Sequence, residues 1–423
     1  MNTTGPKDIP DKIDGEKPDD LIPKLFKAEY SNLVAVLCNF YGFKNIQQAE
    51  DIVSEAFIQA MKNWSHKGIP DNPKAWLRRV ASNKATDYHR RNKLQTEKIF
   101  PNYKIQNSDQ DSSIEFNDSI IADSQLKTIF VVCHPELSIE SQICLALRIL
   151  SGFNIDEIAT ALLSNKESVN KKLYRGKKKL REINPDIDLL DGTDLENRID
   201  GVLRILYLIF NEGYYRTQAK EAISQDLCWE ALRLSLLLTQ QKSTNLPRLH
   251  ALIALMCFHA SRLGTRIGDE NQLLLLDQQD RKGWNKELIV KGQQYLNTSA
   301  RGPRVSKYHL EAAIAYWHTT DDEKKWDSIL RLYNKLLQLE YSPHTAMNRT
   351  YAFAMSHAPD LALREALKLK LDTHHLYHSL LAELYRMTGD SDKQSEHLDQ
   401  AIKMATNPQE IQLLQQKKAR LHR

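Results

Sequence analysis

Apolar residues along this chain recur three and four positions apart, and strict alternation of apolar with polar residues is hard to find. Spacing of three and four marks one buried face of an α-helix, whereas period two marks a half-buried strand. Glycine (15) and proline (14) are sparse among 423 residues, so little interrupts the helical pattern. The chain is therefore predicted to be all-α. Helices are expected at about 20–40, 46–63 and 73–92, the third opening on Pro73, whose missing N–H costs nothing at a first helical position. In the second helix Ile52, Val53, Ala56, Phe57, Ala60 and Met61 can face a core. A second helical unit spans about 120–183 and ends at Asn184-Pro185, because proline disfavours helix at the residue before it. From about 190 onward runs a third region of helices, with breaks near Gly213, Gly264–Gly268, Gly302-Pro303, Pro343, Pro359 and Gly389. The polar residues 1–19 read as a disordered tail. Pro101–Asn117, rich in Asn, Asp, Ser and Gln, cannot bury enough surface to fold alone and reads as a linker. The resulting division is 1–19 tail, 20–95 first module, 96–119 linker, 120–185 second module and 186–423 third region.

The stretch Asn154–Glu182 reads NIDEIATALLSNKESVNKKLYRGKKKLRE. Ile155, Ile158, Ala159 and Leu162 share one helical face, and small Ala159 permits close approach of a crossing helix. The turn carries Leu163, Ser164 and Asn165, and either of the last two can cap the next helix. That helix turns Val169, Leu173 and Leu180 inward and is strongly basic, with Lys166, Lys171, Lys172, Arg175, Lys177, Lys178, Lys179 and Arg181 against Glu167 and Glu182. Two short helices joined by a tight turn form a helix-turn-helix, whose second helix enters the major groove of DNA by its N-terminal end. Lys166, Glu167, Ser168, Asn170 and Lys171 stand where base edges would be read. The cluster from Arg175 to Arg181, Lys178 included, stands where phosphates would be met, and Lys172 is a further expected DNA contact. A solvated lysine-rich helix end is the bland reading of the basic run taken alone; the hairpin pattern in front of it favours DNA.

Residues 49–64 read AEDIVSEAFIQAMKNW, an amphipathic helix with an acidic start at Glu50, Asp51, Ser54 and Glu55 that suits the helix dipole. Residues 75–93 read AWLRRVASNKATDYHRRNK and interleave Trp76, Tyr88 and His89 with Arg78, Arg79, Lys84, Arg90 and Arg91. Aromatic groups among cations suit single-stranded DNA, whose bases stack and whose phosphates pair. Trp76 and Tyr88 serve equally well as core residues.

The combination and order of these segments resemble RNA polymerase sigma factors of the extracytoplasmic-function class. Residues 20–93 resemble region two, 120–183 resemble region four, and a linker replaces region three. The resemblance implies two small helical DNA- and polymerase-binding domains. The helix Glu50–Trp64, through Glu50, Asp51, Val53, Glu55 and Phe57, would dock the clamp helices of the polymerase β′ subunit, and the β flap would be a further contact. The loop Lys62–Asn72 and the following helix, through Trp76, Arg79, Asn83, Lys84, Asp87, Arg90 and Arg91, would open and capture the minus-ten element. The helix Lys166–Arg181 would read the minus-35 element. The segments Val132–Phe153, Leu206–Tyr215 (LYLIFNEGYY), Leu273–Asn285 (LLLLDQQDRKGWN) and Ser342–Arg349 resemble the subgroup with a fused C-terminal tetratricopeptide-like domain.

That domain is also visible as weak helical repeats. Ala382, Tyr385, Gly389, Leu398, Ala401 and Pro408 approximate one tetratricopeptide hairpin. Looser copies hold Pro343, Ala352, Pro359, Ala362 and Ala366, and Trp326, Ile329, Tyr333 and Leu337. Each hairpin needs a neighbour to cover its apolar face, so such units stack and leave a surface for a protein partner or an intramolecular contact. The domain is expected to modulate activity in cis, in place of a separate membrane-bound inhibitor.

Composition excludes several alternatives. With 58 Lys+Arg against 54 Asp+Glu the net charge is only +4, so local charge decides the partners. Cys38, Cys133, Cys144, Cys228 and Cys257 have no Cys-x-x-Cys or zinc-ligand spacing and are expected to be buried, reduced thiols. Among the carboxylates Asp269, Glu270, Asp277 and Asp280 and the histidines His309, His318, His374, His375 and His378 there is no metal helix such as His-x-x-x-His with a following Glu, and phosphate loops and nucleophile elbows are missing. No enzymatic activity, cofactor or metal is expected. No signal-peptide core or membrane-length apolar run occurs, so a cytoplasmic protein is expected. The competing functions are a helix-turn-helix regulator acting without polymerase and an interaction scaffold. The acidic docking helix and the basic recognition helix argue against them in turn.

Overall fold

A computed structural model describes residues 17–99, 114–162, 164–185, 192–215, 221–268 and 274–422. The chain is all-helical. It divides into two compact units, one of Met1–Gly213 with Ala222–Leu238 and one of Tyr214–Glu221 with Thr239–Arg423.

The first unit holds α1 (Pro18–Tyr41), α2 (Ile46–Lys67), α3 (Pro73–Ile99), α4 (Asp118–Val132), α5 (Ile139–Leu145), α6 (Ile155–Ala161), α7 (Lys166–Ile183), α8 (Gly192–Tyr215, to Gly213) and α9 (Glu221–Leu238, from Ala222). Helix α1 is its spine. Leu21, Leu25, Leu33, Val34 and Leu37 are fully or almost fully buried there, and α1 packs on α2, α4 and the π-helical turn Ala146–Leu150 that continues α5. Polar ties bind the later helices to the same spine. Gln125 of α4 donates to Asn32 of α1 at 2.6 Å, and Arg233 of α9 reaches Gln125 at 3.1 Å and the Leu150 carbonyl at 3.3 Å. Lys27 of α1 ion-pairs with Asp226 of α9.

Two glycines let these helices meet. Gly152 has φ +72°, and a Cβ there would face the Lys27 carbonyl at 3.6 Å, so the chain turns back against α1 in a conformation that strains other residues. Gly176, inside α7, lies against α5, where a Cβ would come within 2.8 Å of Leu145 Cδ1 and 3.3 Å of Ser141 Cβ. The close crossing is thus made at Gly176 on α5 as well as at buried Ala159 on α6.

Some boundaries differ from expectation. Helix α1 begins at Pro18, a proline suited to a first turn, so helix starts inside the expected tail. Helix α3 runs to Ile99 rather than about 92, because no glycine or proline interrupts it before Pro101. Helix α8 passes the break expected at Gly213 and ends at Tyr215; one helical glycine costs only about 1 kcal/mol. Met61, read as a core residue, is 53% exposed, one position off the inward face of α2. Helix α7 does end at Asn184, which adopts the left-handed conformation (φ 42°, ψ 62°) that asparagine tolerates. Residues 1–16, most of the linker (100–113), Leu163 of the turn, and Asp269 and Glu270 lie outside the described residues.

The second unit holds α10 (Pro247–Ala260), α11 (Lys286–Ser299), α12 (Lys307–His318), α13 (Lys325–Leu339), α14 (Pro343–Ser356), α15 (Pro359–Lys368), α16 (His375–Thr388), α17 (Ser391–Met404) and α18 (Pro408–Ala419). Sequential helices pack on one another along the series. Small residues sit at the crossings: Ala352, Ala362, Ala366 and Ala401 have no exposed surface. Ala362 and Ala366 share a core with Tyr377, Leu381 and Leu384, and Ala401 shares one with Ala382, Leu398 and Leu414. Asp390 caps α17 by accepting from Lys393 N at 3.1 Å, just after Gly389 ends α16 at φ +83°.

Candidate nucleic-acid interface

Helix α6 begins with a capping box, in which Asn154 accepts from Glu157 N at 2.9 Å and Glu157 accepts from Asn154 N at 2.8 Å. Of the two capping candidates before α7, Asn165 takes the role and accepts from Ser168 N at 2.7 Å. The two helices pack through buried Ile158, Ala159, Val169 and Leu173. This leaves Lys166, Glu167, Asn170, Lys171, Arg175 and Lys178 exposed, with Ser168 and Lys172 half-buried. Local ion pairs hold some of these side chains: Lys166 with Asp156 at 2.6 Å, Lys171 with Glu167 at 2.6 Å and Lys178 with Glu182 at 4.0 Å. All are surface pairs, which are weak and easily exchanged for another anion. Tyr174, 64% exposed, stands on the same outer face and was not singled out by charge.

Lys177 departs from its basic neighbours. Its side chain turns inward and ion-pairs with Glu50 of α2, which also accepts from Arg148 Nε and from the Tyr30 hydroxyl, each at 3.1 Å. Glu50 is only 4% exposed. Arg148 lies over the Tyr30 ring at 4.8 Å and donates to the Phe153 carbonyl at 3.1 Å, so the carboxylate sits in a filled polar pocket. Burial beside Glu50 pushes the Tyr30 hydroxyl well above its ordinary pKa.

Helix α3 carries the other group. Arg79, Asn83, Asp87, Arg90 and Arg91 are exposed, and Trp76 and Lys84 are half-buried. Their spacing of three, four and seven residues places them along one side of the helix. Trp76 meets Trp64 edge-to-face at 5.3 Å, and Lys84 reaches Glu55 at 2.9 Å. An open cleft of about 710 Å³ flanks this stripe, lined by Asn72, Lys74, Arg78, Arg79, Asn83 and Asp118 among others. Arg78 is tied down there, donating to the Phe116 carbonyl at 3.0 Å and pairing with Glu29 at 3.2 Å. Tyr88 is half-buried and packs edge-to-face on Tyr41 at 6.3 Å.

On α2 the five residues implied in docking part company. Asp51 and Glu55 are exposed, whereas Glu50, Val53 and Phe57 are buried, Phe57 against Phe26 at 4.9 Å. The exposed stripe continues through Ile58 (49% exposed) and Met61. Hydrophobicity alone places Met61 in the core and leaves Ile58 unassigned; the register of both with Asp51 and Glu55, at four- and three-residue steps, is the signal that finds them.

All five cysteines are buried, and burial pushes the thiols of Cys133 and Cys257 up to about 12, away from reactivity. Among the described residues no helix is long and apolar enough to cross a membrane.

Comparison with known proteins agrees with this arrangement. Residues 25–95, which hold α2 and most of α1 and α3, match Sigma-70 region 2. Residues 198–300 match a family of unknown function, DUF6596. The chain is 32% identical over 377 residues to the uncharacterized protein R00370 of Rhizobium meliloti (strain 1021), covering 87% of this chain and 88% of that one. It is 24% identical over 144 residues to the ECF RNA polymerase sigma factor SigX of Bacillus subtilis (strain 168), covering 34% of this chain and 74% of that one. No solved structure matches. The chain belongs to the same family as the Rhizobium meliloti protein and carries a Sigma-70 region 2, which supports a sigma factor in transcription initiation.

Proposed function

We propose that the chain is an extracytoplasmic-function-type sigma factor that grips its promoter at two places. The exposed stripe of α3 (Trp76, Arg79, Asn83, Lys84, Asp87, Arg90, Arg91) captures the minus-ten element. The outer face of α7 (Lys166, Glu167, Ser168, Asn170, Lys171, Lys172, Arg175, Lys178) reads the minus-35 element as the second helix of a helix-turn-helix. Asp51 and Glu55, with Ile58 and Met61 between their charges and the loop after α2, meet the β′ clamp helices of core RNA polymerase, and the module of α4–α7 meets the β flap. The observation that carries this reading is the α3 stripe, which presents polar and cationic groups beside an aromatic residue on the module that matches region two.

In the free chain Glu50, Lys177 and Arg148 fasten the two DNA-binding modules together. Engagement of core polymerase separates them and makes Glu50 accessible, while Phe57 stays packed on Phe26 of α1 and supports the docking face from beneath. The tetratricopeptide-like helices of the second unit modulate this step in cis. The test is transcription from a promoter library by purified core polymerase with and without the chain. Transcripts from a defined promoter class support the reading. Duplex DNA binding with no core association and no transcripts would make the chain a helix-turn-helix regulator instead.

A further inference from the structure

Two motifs take no part in that interface: LYLIFNEGYY at 206–215 and LLLLDQQDRKGWN at 273–285. Within the second unit Tyr214 of the first and Arg281 and Trp284 of the second come together with residues from α10, α12 and α13. The guanidinium carbons of Arg262 and Arg281 lie 5.7 and 5.3 Å from the centre of the same Trp284 indole. Arg262 donates to the Tyr214 hydroxyl at 2.7 Å and lies 3.1 Å from His259 Nδ1. Arg266 stacks on Tyr214 at 3.8 Å. Lys325 stands over Trp326 at 5.7 Å, the ring that His318 meets edge-on at 5.7 Å.

These groups feel one another's charge. Burial, and then Arg281, hold the Lys325 amine below its ordinary pKa. Burial, then Lys325, Arg262 and Arg281, drive His318 down to about 3. Asp321 pairs with Arg281 and keeps 83% of its side chain exposed. Arg262 and Lys325 make no ion pair among the described residues. Two buried polar atoms in the same place have no hydrogen-bond partner: Nε1 of Trp284, a residue only 4% exposed, and Nδ1 of His318. Gathering like charges around unsatisfied polar atoms opposes folding unless an anion neutralises them.

We propose that Arg262, Arg281 and Lys325, with the Trp284 N–H, form a binding site for a small oxyanion ligand bearing phosphate or carboxylate groups. Guanidinium forks match both oxyanions bidentately, and their stacking on an indole fixes their planes. The indole N–H supplies a neutral donor. A ligand there joins the loop 281–284 to the turn after α10 and to α13, so the second unit carries its own input, independent of the promoter-binding reading.

The test is calorimetric titration of the full chain at constant chloride, with inorganic phosphate in one arm and citrate in the other. Melting is followed in parallel. Saturable binding that raises the melting midpoint is expected from at least one anion, and the responding arm identifies the oxyanion. The double variant R281Q/K325Q should bind at least tenfold more weakly while melting no lower than the parent without anion, because it loses repulsion. W284F, which keeps the aromatic surface and lacks the N–H, should bind severalfold more weakly. Absence of saturation by either anion overturns the proposal. So does equal binding by the double variant, which would place the anion elsewhere, as on the basic α7.

Discussion

Arg148 of the π-helical turn holds its Nε 3.1 Å from Oε1 of Glu50, and Lys177 of α7 takes the other carboxylate oxygen. One side chain of α2 therefore joins both parts of the α4–α7 module, and its own side chain is 5% exposed. Removing one member of a buried ion cluster leaves the others charged and desolvated, at a cost of about 3–5 kcal/mol. Glu50→Ala should accordingly lower the urea midpoint of the first transition in the full chain. Simultaneous replacement of Glu50, Arg148 and Lys177 by apolar residues of similar volume should lose much less. Equal losses in the single and triple variants would mean that the cluster is not energetically coupled.

The same cluster marks how far the amino-acid pattern could be read. Helix existence, the Asn184 stop and the buried alanines of the C-terminal repeats follow from local spacing, because each depends on neighbours within one or two turns. Lys177 does not, since its partner Glu50 lies on a helix distant in sequence and nothing around residue 177 distinguishes it from Lys178. Met61 was misplaced for a related reason: hydrophobicity names a residue's preference, while helix register decides which preferences are met. The cation cluster around Trp284 was illegible for the strongest form of that reason. Its members come from five separate segments, none basic enough alone to attract notice.

Gly176 tests the crossing of α5 and α7. A Cβ there meets Leu145 Cδ1 at 2.8 Å and Ser141 Cβ at 3.3 Å, and Leu145 has no exposed surface into which to retreat. Gly176→Val is expected to destabilise the first unit by about 1–3 kcal/mol through overpacking. The gain from replacing a helical glycine, at most about 1 kcal/mol, does not offset it. Denaturant melts read the loss, and far-UV circular dichroism at low denaturant should show retained helix.

Two residues on α7 should separate positioning from reading. Lys178 stands beyond the N-terminal turns of the helix and is 61% exposed on its side chain. Lys178→Ala should weaken binding to promoter and unrelated duplexes alike and reduce the salt slope of binding by about 1. Asn170, exposed one turn into the helix, is placed to contact base edges. Asn170→Ala should cost about 1–3 kcal/mol on the selected promoter and little on unrelated DNA. Anisotropy titrations at several salt concentrations distinguish the two patterns. A promoter-specific loss from Lys178→Ala would reverse the assignment.

Acidification tests the electrostatics of the second unit. His318 faces Arg262 from the turn after α10, Arg281 from the loop before α11 and Lys325 from α13, and its folded-state pKa is held at about 3. His259 is held well below its ordinary value by burial and by Arg262, Arg266 and His318. When a folded-state pKa lies below the unfolded one, the unfolded chain takes up protons first. Stability present above about pH 6.5, the ordinary histidine value, should therefore be lost progressively as pH falls toward 3. Melting midpoints of the full chain between pH 7.5 and 4 should trace that fall, to which burial-depressed His250, His309 and His397 also contribute, and His318→Gln should lessen it by removing one of these groups. Phosphate or citrate held in the cluster supplies the countercharge that lets His318 protonate in place, so saturating anion should flatten the same curve for the parent chain and leave the R281Q/K325Q variant unaffected.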